Sequence, residues 1–453
     1  MRKLKENGKK LFIRGWKNHL DDVFRGKEKG YLRRKNESLN VVIKDEFCSV
    51  QNPIVSFVEK ISNKKGIEKR FFEKERIKIP RKFSFYDNPE ESLLFIHSVS
   101  KSISRGERKS VTIDYESAKY HCLGAECLLG LVVTEARKSN VNFDSNVIVN
   151  GIYPKKQYHR EIIKSIGIVK EMDEANPGLL KDFTNKNDNP KQRVFKVDSI
   201  GKEDPSAFAQ DRKNKTAESF SAYINKCLND HDLKLKDAAE KHLTSCMGEL
   251  IDNAERHCGL SQRPRWFVRG YVNNNALHPV CELAIINFGQ TIAETFDNLP
   301  EDHYSMSIQV KPYVSKHLNK KGMFKEGLVT VAALQGRVSC KNITDSDSSG
   351  TGTIELLKFF QDMHDSMVRI RGIEMDKPEM SLISGKTHIA FDGRYPLICK
   401  LEDDDESEIY SYPFNREGLA TAPDRAYLKE MKNAYFPGVM VNIRFPLQKT
   451  KQV

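Results

Sequence analysis

The chain has 453 residues, 39% of them hydrophobic and 30% charged, and carries a formal net charge of +12. That length is more than one ordinary core and leaves room for about two or three folded units, with enough apolar material to bury them. The longest apolar run, Cys127 to Val133, is far shorter than the roughly 20 residues a membrane-spanning helix needs, and the charged opening MRKLKENGKK is not followed by the apolar stretch of a secretory signal, so we expect a cytoplasmic protein with no membrane partner.

The first 50 residues read as a basic arm. Residues 1–35 hold thirteen Lys or Arg against four acids, a net of +9, with Phe12, Trp16 and Tyr31 interleaved. Two readings stand for this arm: a nucleic-acid partner held by cations and stacking rings through residues 1–35, or a solubilising extension. The nine cysteines are an odd number with no CxxC pair and no zinc-ligand cadence, which reads as reduced, mostly buried thiols.

Residues 51–175 read as an α/β unit. The stretch 51–110 mixes short apolar pieces with charge, and Pro80 and Pro89 act as breakers in a connector or early strand. Val111 to Tyr115 (VTIDY) is strand-like, Ala118 to Ser139 reads as an apolar helix, VNFDSNVIVNG as a second strand, and Tyr158 to Val169 as a short amphipathic helix with Gly167 near its end. Strand, helix, strand, helix implies an α/β module. The segments IDYESAKYHCLGAECLLGLVVTEARK and NGIYPKKQYHREIIKSIGI resemble the STAS domain of anti-sigma-factor antagonists. In its phosphorylated members a serine opens the helix after the first of these strands. Here that stretch is His121 to Ala125 (HCLGA), without a hydroxyl, which argues for a docking module and against a phospho-switch.

Residues 176–214 are polar and rich in Pro and Gly, as a linker would be, and 215–450 read as a second unit. A long helical stretch, Thr216 to Cys258, ends in GELIDNAERHCG and sets Glu249 and Asn253 on one face, four residues apart. A carboxylate at the first position can activate a water or hydroxyl, and an amide oxygen one turn later suits Mg2+, which prefers oxygen ligands. His242, on the same helix, reads as a surface or packing residue. A strand at Leu283 to Ile286 then runs into Asn287-Phe288-Gly289-Gln290-Thr291-Ile292. A helix follows at about Lys325 to Gly336, then a polar loop and the run Gly350-Thr351-Gly352-Thr353 opening another helix. Strands are expected at Met380–Ile383, Lys386–Phe391 and in FPGVMVNIRFPL at 436–447, while the acidic run 402–408 reads as a solvated loop.

Taken in this order, the segments resemble the GHKL superfamily of ATP-binding domains, which groups gyrase, a heat-shock chaperone, the histidine kinases and a mismatch-repair ATPase. ELIDNAERH, with His257, is similar to the branch of bacterial anti-sigma-factor kinases. The resemblance implies an α/β fold overall (α+β), with the STAS-like α/β domain followed by a GHKL-type two-layer α/β sandwich. It implies Glu249 as catalytic base, Asn253 as the Mg2+ ligand, an adenine loop at Asn287 and Gly289, and a phosphate loop at Gly350, Gly352 and Thr353, with ATP and Mg2+ bound. Asn287 stands where the superfamily has an acid, and its side-chain carbonyl can accept the adenine amino proton. Thr291 replaces the second glycine. The region 316–349 would be the lid.

Three functions follow as expectations. The first is a Mg-dependent ATPase acting as a nucleotide-driven switch, in a bacterial regulatory or phage-defence system, with a protein partner or a second copy as its reader. The second is a serine protein kinase of the anti-sigma-factor type. The third is a non-hydrolysing ATP sensor that binds nucleic acid through its arm.

Overall fold

The computed structural model describes residues 71–73, 76–104, 109–141, 147–175, 191–199, 209–257, 265–276, 279–344, 351–371, 377–401 and 408–447. The basic arm, the loop position Gly350 and residues 402–407 of the acidic run lie outside them. Among the described residues no helix is long and apolar enough to cross a membrane.

The N-terminal unit opens with β1 (Phe72–Glu73), β2 (Arg76–Lys78), β3 (Lys82–Phe83) and helix α1 (Pro89–Ser104). Here the structure differs from the sequence reading. Pro89 does not break a connector but starts a helix, because a proline at the first helical position has no N–H to leave unpaired and a backbone angle already suited to the helix. Strand β4 (Ser110–Asp114), the short β5 (Tyr120–His121), helix α2 (Leu123–Val141), β6 (Ile148–Ile152), α3 (Gln157–Ser165) and α4 (Ile168–Ala175) follow. Gly167 separates α3 from α4, so the expected single helix is two. The sheet runs in the order β1-β2-β4-β6, with β2, β4 and β6 parallel, as βαβ crossovers through α1 and α2 require.

The second sheet has seven strands, all antiparallel. They are β7 (Gln192–Asp198), β8 (Arg265–Asn273), β9 (Val280–Phe288), β10 (Glu379–Gly385), β11 (Thr387–Phe391), β14 (Leu428–Glu430) and β15 (Phe436–Pro446), in the order β14-β11-β10-β15-β9-β8-β7. The separate ribbon β12–β13 (Ile398–Leu401 and Glu408–Ser411) lies between β11 and β14 in the chain. Strand β7 falls inside the expected linker, yet all seven of its residues pair with β8. The expected single long helix is a hairpin of α5 (Ala209–Asn229) and α6 (Asp237–His257), turned at Asp232, whose φ of 59° permits the reversal. His242 is exposed on α6.

One face of this sheet carries α5, α6, α7 (Ile292–Asp297), α9 (Lys325–Ala333) and α10 (Thr351–Arg371) over a core that includes Phe220, Met247, Ile251, Leu283, Ile285, Leu328, Phe360 and Val441. A π-helical turn (Ser305–Val310) and α8 (Lys311–His317) lead into α9. Each fully buried side chain of this kind contributes about 1.5–3 kcal/mol. Where the sequence reading has a two-layer sandwich reached through a linker, the structure covers both faces. The N-terminal unit packs on the second, and Leu128 and Val132 of α2 share one core with Phe267, Tyr271, Ala284, Ile286 and Met440 of the sheet.

That contact is also polar. Arg269 of β8, fully buried, pairs with Glu171 of α4 at 2.9 Å and with Asp198, and Lys196 reaches Glu171 at 3.0 Å. The N–H of Leu123, at the start of α2, donates to the buried Glu282 carboxylate of β9 at 2.7 Å, where the positive end of a helix favours a negative group. Burial pushes the Glu282 carboxyl up, and the Leu123 bond opposes that. Gly124 lets α2 approach, since a Cβ there would meet Asn442 Oδ1 at 1.8 Å. The hydroxyl of Ser381 and the ring of His388 both bond to the Phe85 carbonyl, at 2.9 and 3.0 Å. The stretch His121 to Ala125 is thus pressed into the sheet.

Candidate functional site

On the helical face the elements leave a cavity of about 390 Å³. Its walls come from α6, the end of β9, α7, the turn after α9 and the first turn of α10. Helix α6 buries Cys246, Met247, Ile251 and Ala254 against the sheet, which rotates Glu249 and Asn253 onto the cavity wall, both half-exposed. Strand β9 alternates: Leu283 and Ile285 enter the helical core, Ala284, Ile286 and Phe288 enter the other, and Asn287 ends the cavity-facing row.

Asn287 is 5% exposed, and its Oδ1 atom has no hydrogen-bond partner. A buried acceptor left unpaired costs about 1–3 kcal/mol, so this atom marks a place where a donor is missing. The backbone beyond it is firmly held. Gln290 N–H donates to the His257 carbonyl at 2.8 Å, tying the loop to the end of α6, and Gly289 N–H donates to the Pro437 carbonyl at 3.2 Å. Gly438 faces this turn with φ 129°, and a Cβ there would lie 1.9 Å from the Asn287 carbonyl oxygen.

Thr291, the departure from the second glycine, has its own structural use. Its hydroxyl accepts from Glu294 N–H at 3.1 Å while Glu294 Oε2 accepts from Thr291 N–H at 2.9 Å, a reciprocal cap that starts α7. The pattern Thr-Ile-Ala-Glu carried that signal. Across the cavity α10 begins at Thr351, and Gly352 packs directly on Glu249: a Cβ at 352 would sit 2.5 Å from Glu249 Cβ. Thr353 also lines the wall, so the first turn of α10, whose N–H groups have no intrahelical partner, borders the cavity that Glu249 and Asn253 line.

Five expected residues therefore surround one cavity: Glu249, Asn253, Asn287, Gly352 and Thr353. Gly289 sits in the loop behind the wall and does not line it, and Gly350 falls outside the described residues. No protein-family model, curated protein or solved structure matches the chain.

The expected lid region divides. Residues 325–333 are α9, with Leu328, Val329 and Val331 buried in the core, so this part is scaffold. The following turn supplies the side wall through Val338, Ser339, Cys340 and Lys341. It is pinned by Ser305, whose hydroxyl donates to the Ser339 carbonyl at 2.6 Å, and by Gly336 N–H to the Tyr410 carbonyl at 2.9 Å. Sequence reading also missed Arg256, Thr295 and Cys340 as lining residues: the first lies inside the ELIDNAERH segment and the second in the capped helix α7, where the pattern does not single them out, and Cys340 lies in a turn with no motif of its own. Burial pushes the Cys340 thiol up, and burial followed by the neighbouring Arg256 charge pulls the His257 imidazole below its ordinary range. Of the described cysteines, five are buried, Cys340 is half-buried and Cys399 exposed, all as free thiols. Among the described residues no group of three or more His, Cys, Asp or Glu is placed to hold a metal.

Proposed function

We propose that the protein binds ATP with Mg2+ in this cavity and hydrolyses it, the nucleotide state setting a conformation that a partner protein or a second copy reads. The observation that carries the reading is the unpaired, buried Oδ1 of Asn287 on the cavity wall. The 6-amino group of adenine is the donor such an acceptor takes. The resemblance of the N-box, adenine-loop and glycine-loop segments to the GHKL superfamily, and of residues 51–175 to STAS, supports the same reading.

The donor set fits a nucleotide and one hard cation. When bound, Mg2+ would partly neutralise the phosphate charge. Asn253 offers an amide oxygen to that ion, one turn from the carboxylate. Glu249 orients a water and takes its proton at a carboxylate oxygen. The first turn of α10 gives backbone N–H donors to phosphate oxygens, and Gly352 keeps that turn close to Glu249. The apolar side chains of Ile285, Phe296, Leu382 and Val441 line the cavity and exclude water around the base.

Transfer to the protein's own N-terminal unit is disfavoured by placement: the start of α2 lies buried on the opposite face of the sheet. A kinase reading therefore requires another protein as acceptor. A regulatory or antiviral-defence role in bacteria rests on resemblance alone.

The test is ATP binding and turnover with and without Mg2+ for the wild type, Glu249→Ala and Asn253→Ala. Turnover in the wild type, binding without turnover in the first variant and loss of Mg2+-dependent binding in the second is the expected result. Binding without wild-type hydrolysis replaces the ATPase with a sensor, label transfer from γ-labelled ATP to a second protein replaces it with a kinase, and no binding at all overturns the reading.

A further inference from the structure

The loops at the carboxyl ends of the parallel strands β2, β4 and β6 gather on one edge of the N-terminal unit, where α/β units place their functional side chains. They bring cations from three parts of the chain together. Strand β3 pairs with β5 so that Lys82 lies opposite Tyr120, and the N–H groups of Lys119 and Tyr120 both donate to the Arg81 carbonyl, at 2.8 and 3.1 Å. From the loop after β6, Lys156 donates to the Lys119 carbonyl at 3.3 Å. Arg81, Lys82, Lys119, Lys155, Lys156 and Lys164 are all exposed. An ion pair brings an exposed carboxylate here, Glu116, which meets Lys155 at 3.1 Å.

Two tyrosines stand in the open on this edge, Tyr120 at 55% and Tyr153 at 41% exposure. The ammonium groups of Lys82 and Lys156 lie 5.8 and 5.7 Å from the Tyr120 ring centre, and that of Lys164 lies 5.1 Å from the Tyr153 ring centre. An exposed ring beside paired cations is the combination that takes an unstacked base and the phosphates on either side of it. A duplex keeps its bases stacked and offers these rings nothing, while an acidic protein would use the cations and leave the rings idle.

We propose that this edge binds single-stranded nucleic acid, with Lys82, Lys119 and Lys156 on the backbone and Tyr120 stacking on a base. The surface is separate from the nucleotide cavity, so the inference stands or falls independently of ATP turnover. It also sets nucleic-acid contact on the folded unit, whereas residues 1–35 carried one of the two readings of the basic arm.

The experiment is fluorescence anisotropy of a labelled 20-nucleotide oligo-dT against the full chain over a series of salt concentrations, with a duplex of equal length as competitor. We expect binding that weakens steeply with salt, at least a tenfold loss in K82E/K119E/K156E with a salt slope shallower by about 2, and a loss of about 5- to 150-fold in Tyr120→Ala with the slope unchanged. The control K320E/K321E, on another surface, should bind as wild type. Thermal unfolding of each variant, matched to wild type, certifies the fold. Wild-type affinity in the triple variant, complete loss of binding on removing residues 1–35, or equal competition by duplex with no effect of Tyr120→Ala would each overturn the proposal.

Discussion

The two faces of the seven-stranded sheet are made from the same strands and are treated in opposite ways. On the rear face, side chains that could carry charge are buried and matched: Arg269 meets Glu171 and Asp198, and Glu282 meets the first turn of α2. On the cavity face, Asn287 is buried and its acceptor is left without a partner. Within β9 the rear-facing Glu282 carboxylate is satisfied from inside the chain, by Leu123 N–H and the Tyr158 hydroxyl, while the cavity-facing Asn287 acceptor is not, which is the arrangement the proposed nucleotide reading calls for. On the proposed reading, stability and ligand recognition fall to alternate residues of β9, and substitutions should separate them.

The largest separation is expected at Glu249. Glu249→Gln should lower turnover by about 10²- to 10⁴-fold while leaving the unfolding free energy from urea titration within about 0.5 kcal/mol of wild type; a comparable loss of stability would mean that the carboxylate props α10 and does no chemistry. The rear-face counterpart is Arg269→Ala, which leaves the buried Glu171 carboxylate with Lys196 as its remaining ion partner and should cost about 3 kcal/mol in denaturant unfolding. Turnover per folded molecule should survive it.

Two glycines give a smaller, matched pair. Gly124→Ala drives a methyl into Asn442 and should destabilise the protein by about 1–3 kcal/mol. Gly352→Ala pushes α10 away from Glu249 and should reduce turnover, measured alongside calorimetric unfolding, more than it reduces stability. If both variants lose stability alone, the cavity wall is only packing. Below these comes Asn287→Ala, where one hydrogen bond to the base is removed. Titration calorimetry should find ATP binding weaker by about 2- to 12-fold.

The gentlest probe is pH. His159 in the N-terminal unit is drawn down to about 3 by burial and then by the His121 and Lys156 charges, and His388, on the rear face, to about 3 by burial and Lys429. An unfolded histidine titrates near 6.5. Below that value the unfolded chain takes up protons that the folded protein refuses, so stability should fall as pH drops from about 7 toward 3. His388→Gln should flatten the slope. A slope unchanged in that variant would show that the rear face is not where the protons matter.

Much of the cavity was legible because its parts are local patterns. Glu249 and Asn253 are one helical turn apart, the alternation in FPGVMVNIRFPL is that of a half-buried strand, and both fall where periodicity puts them. What stayed hidden depended on partners distant in sequence. Strand β7 has a mixed, half-exposed pattern that looks like linker until β8 is beside it, since an edge strand needs only one good neighbour. Helix α1 was obscured by reading Pro89 as an end when it is a start. The docking of α2 on β9 joins positions 123 and 282, and nothing in either segment alone announces the other.

Strand β9 has one further property. Glu282 and Asn287 sit at opposite ends of the same nine-residue strand and on opposite sides of it. A slip of a single residue against β15 would turn the carboxylate away from α2 and the amide away from the cavity in one movement. The strand is therefore a ruler shared by two jobs, and the halves of this protein cannot be exchanged as cassettes: whatever replaces the N-terminal unit must read the same side of β9 in the same phase.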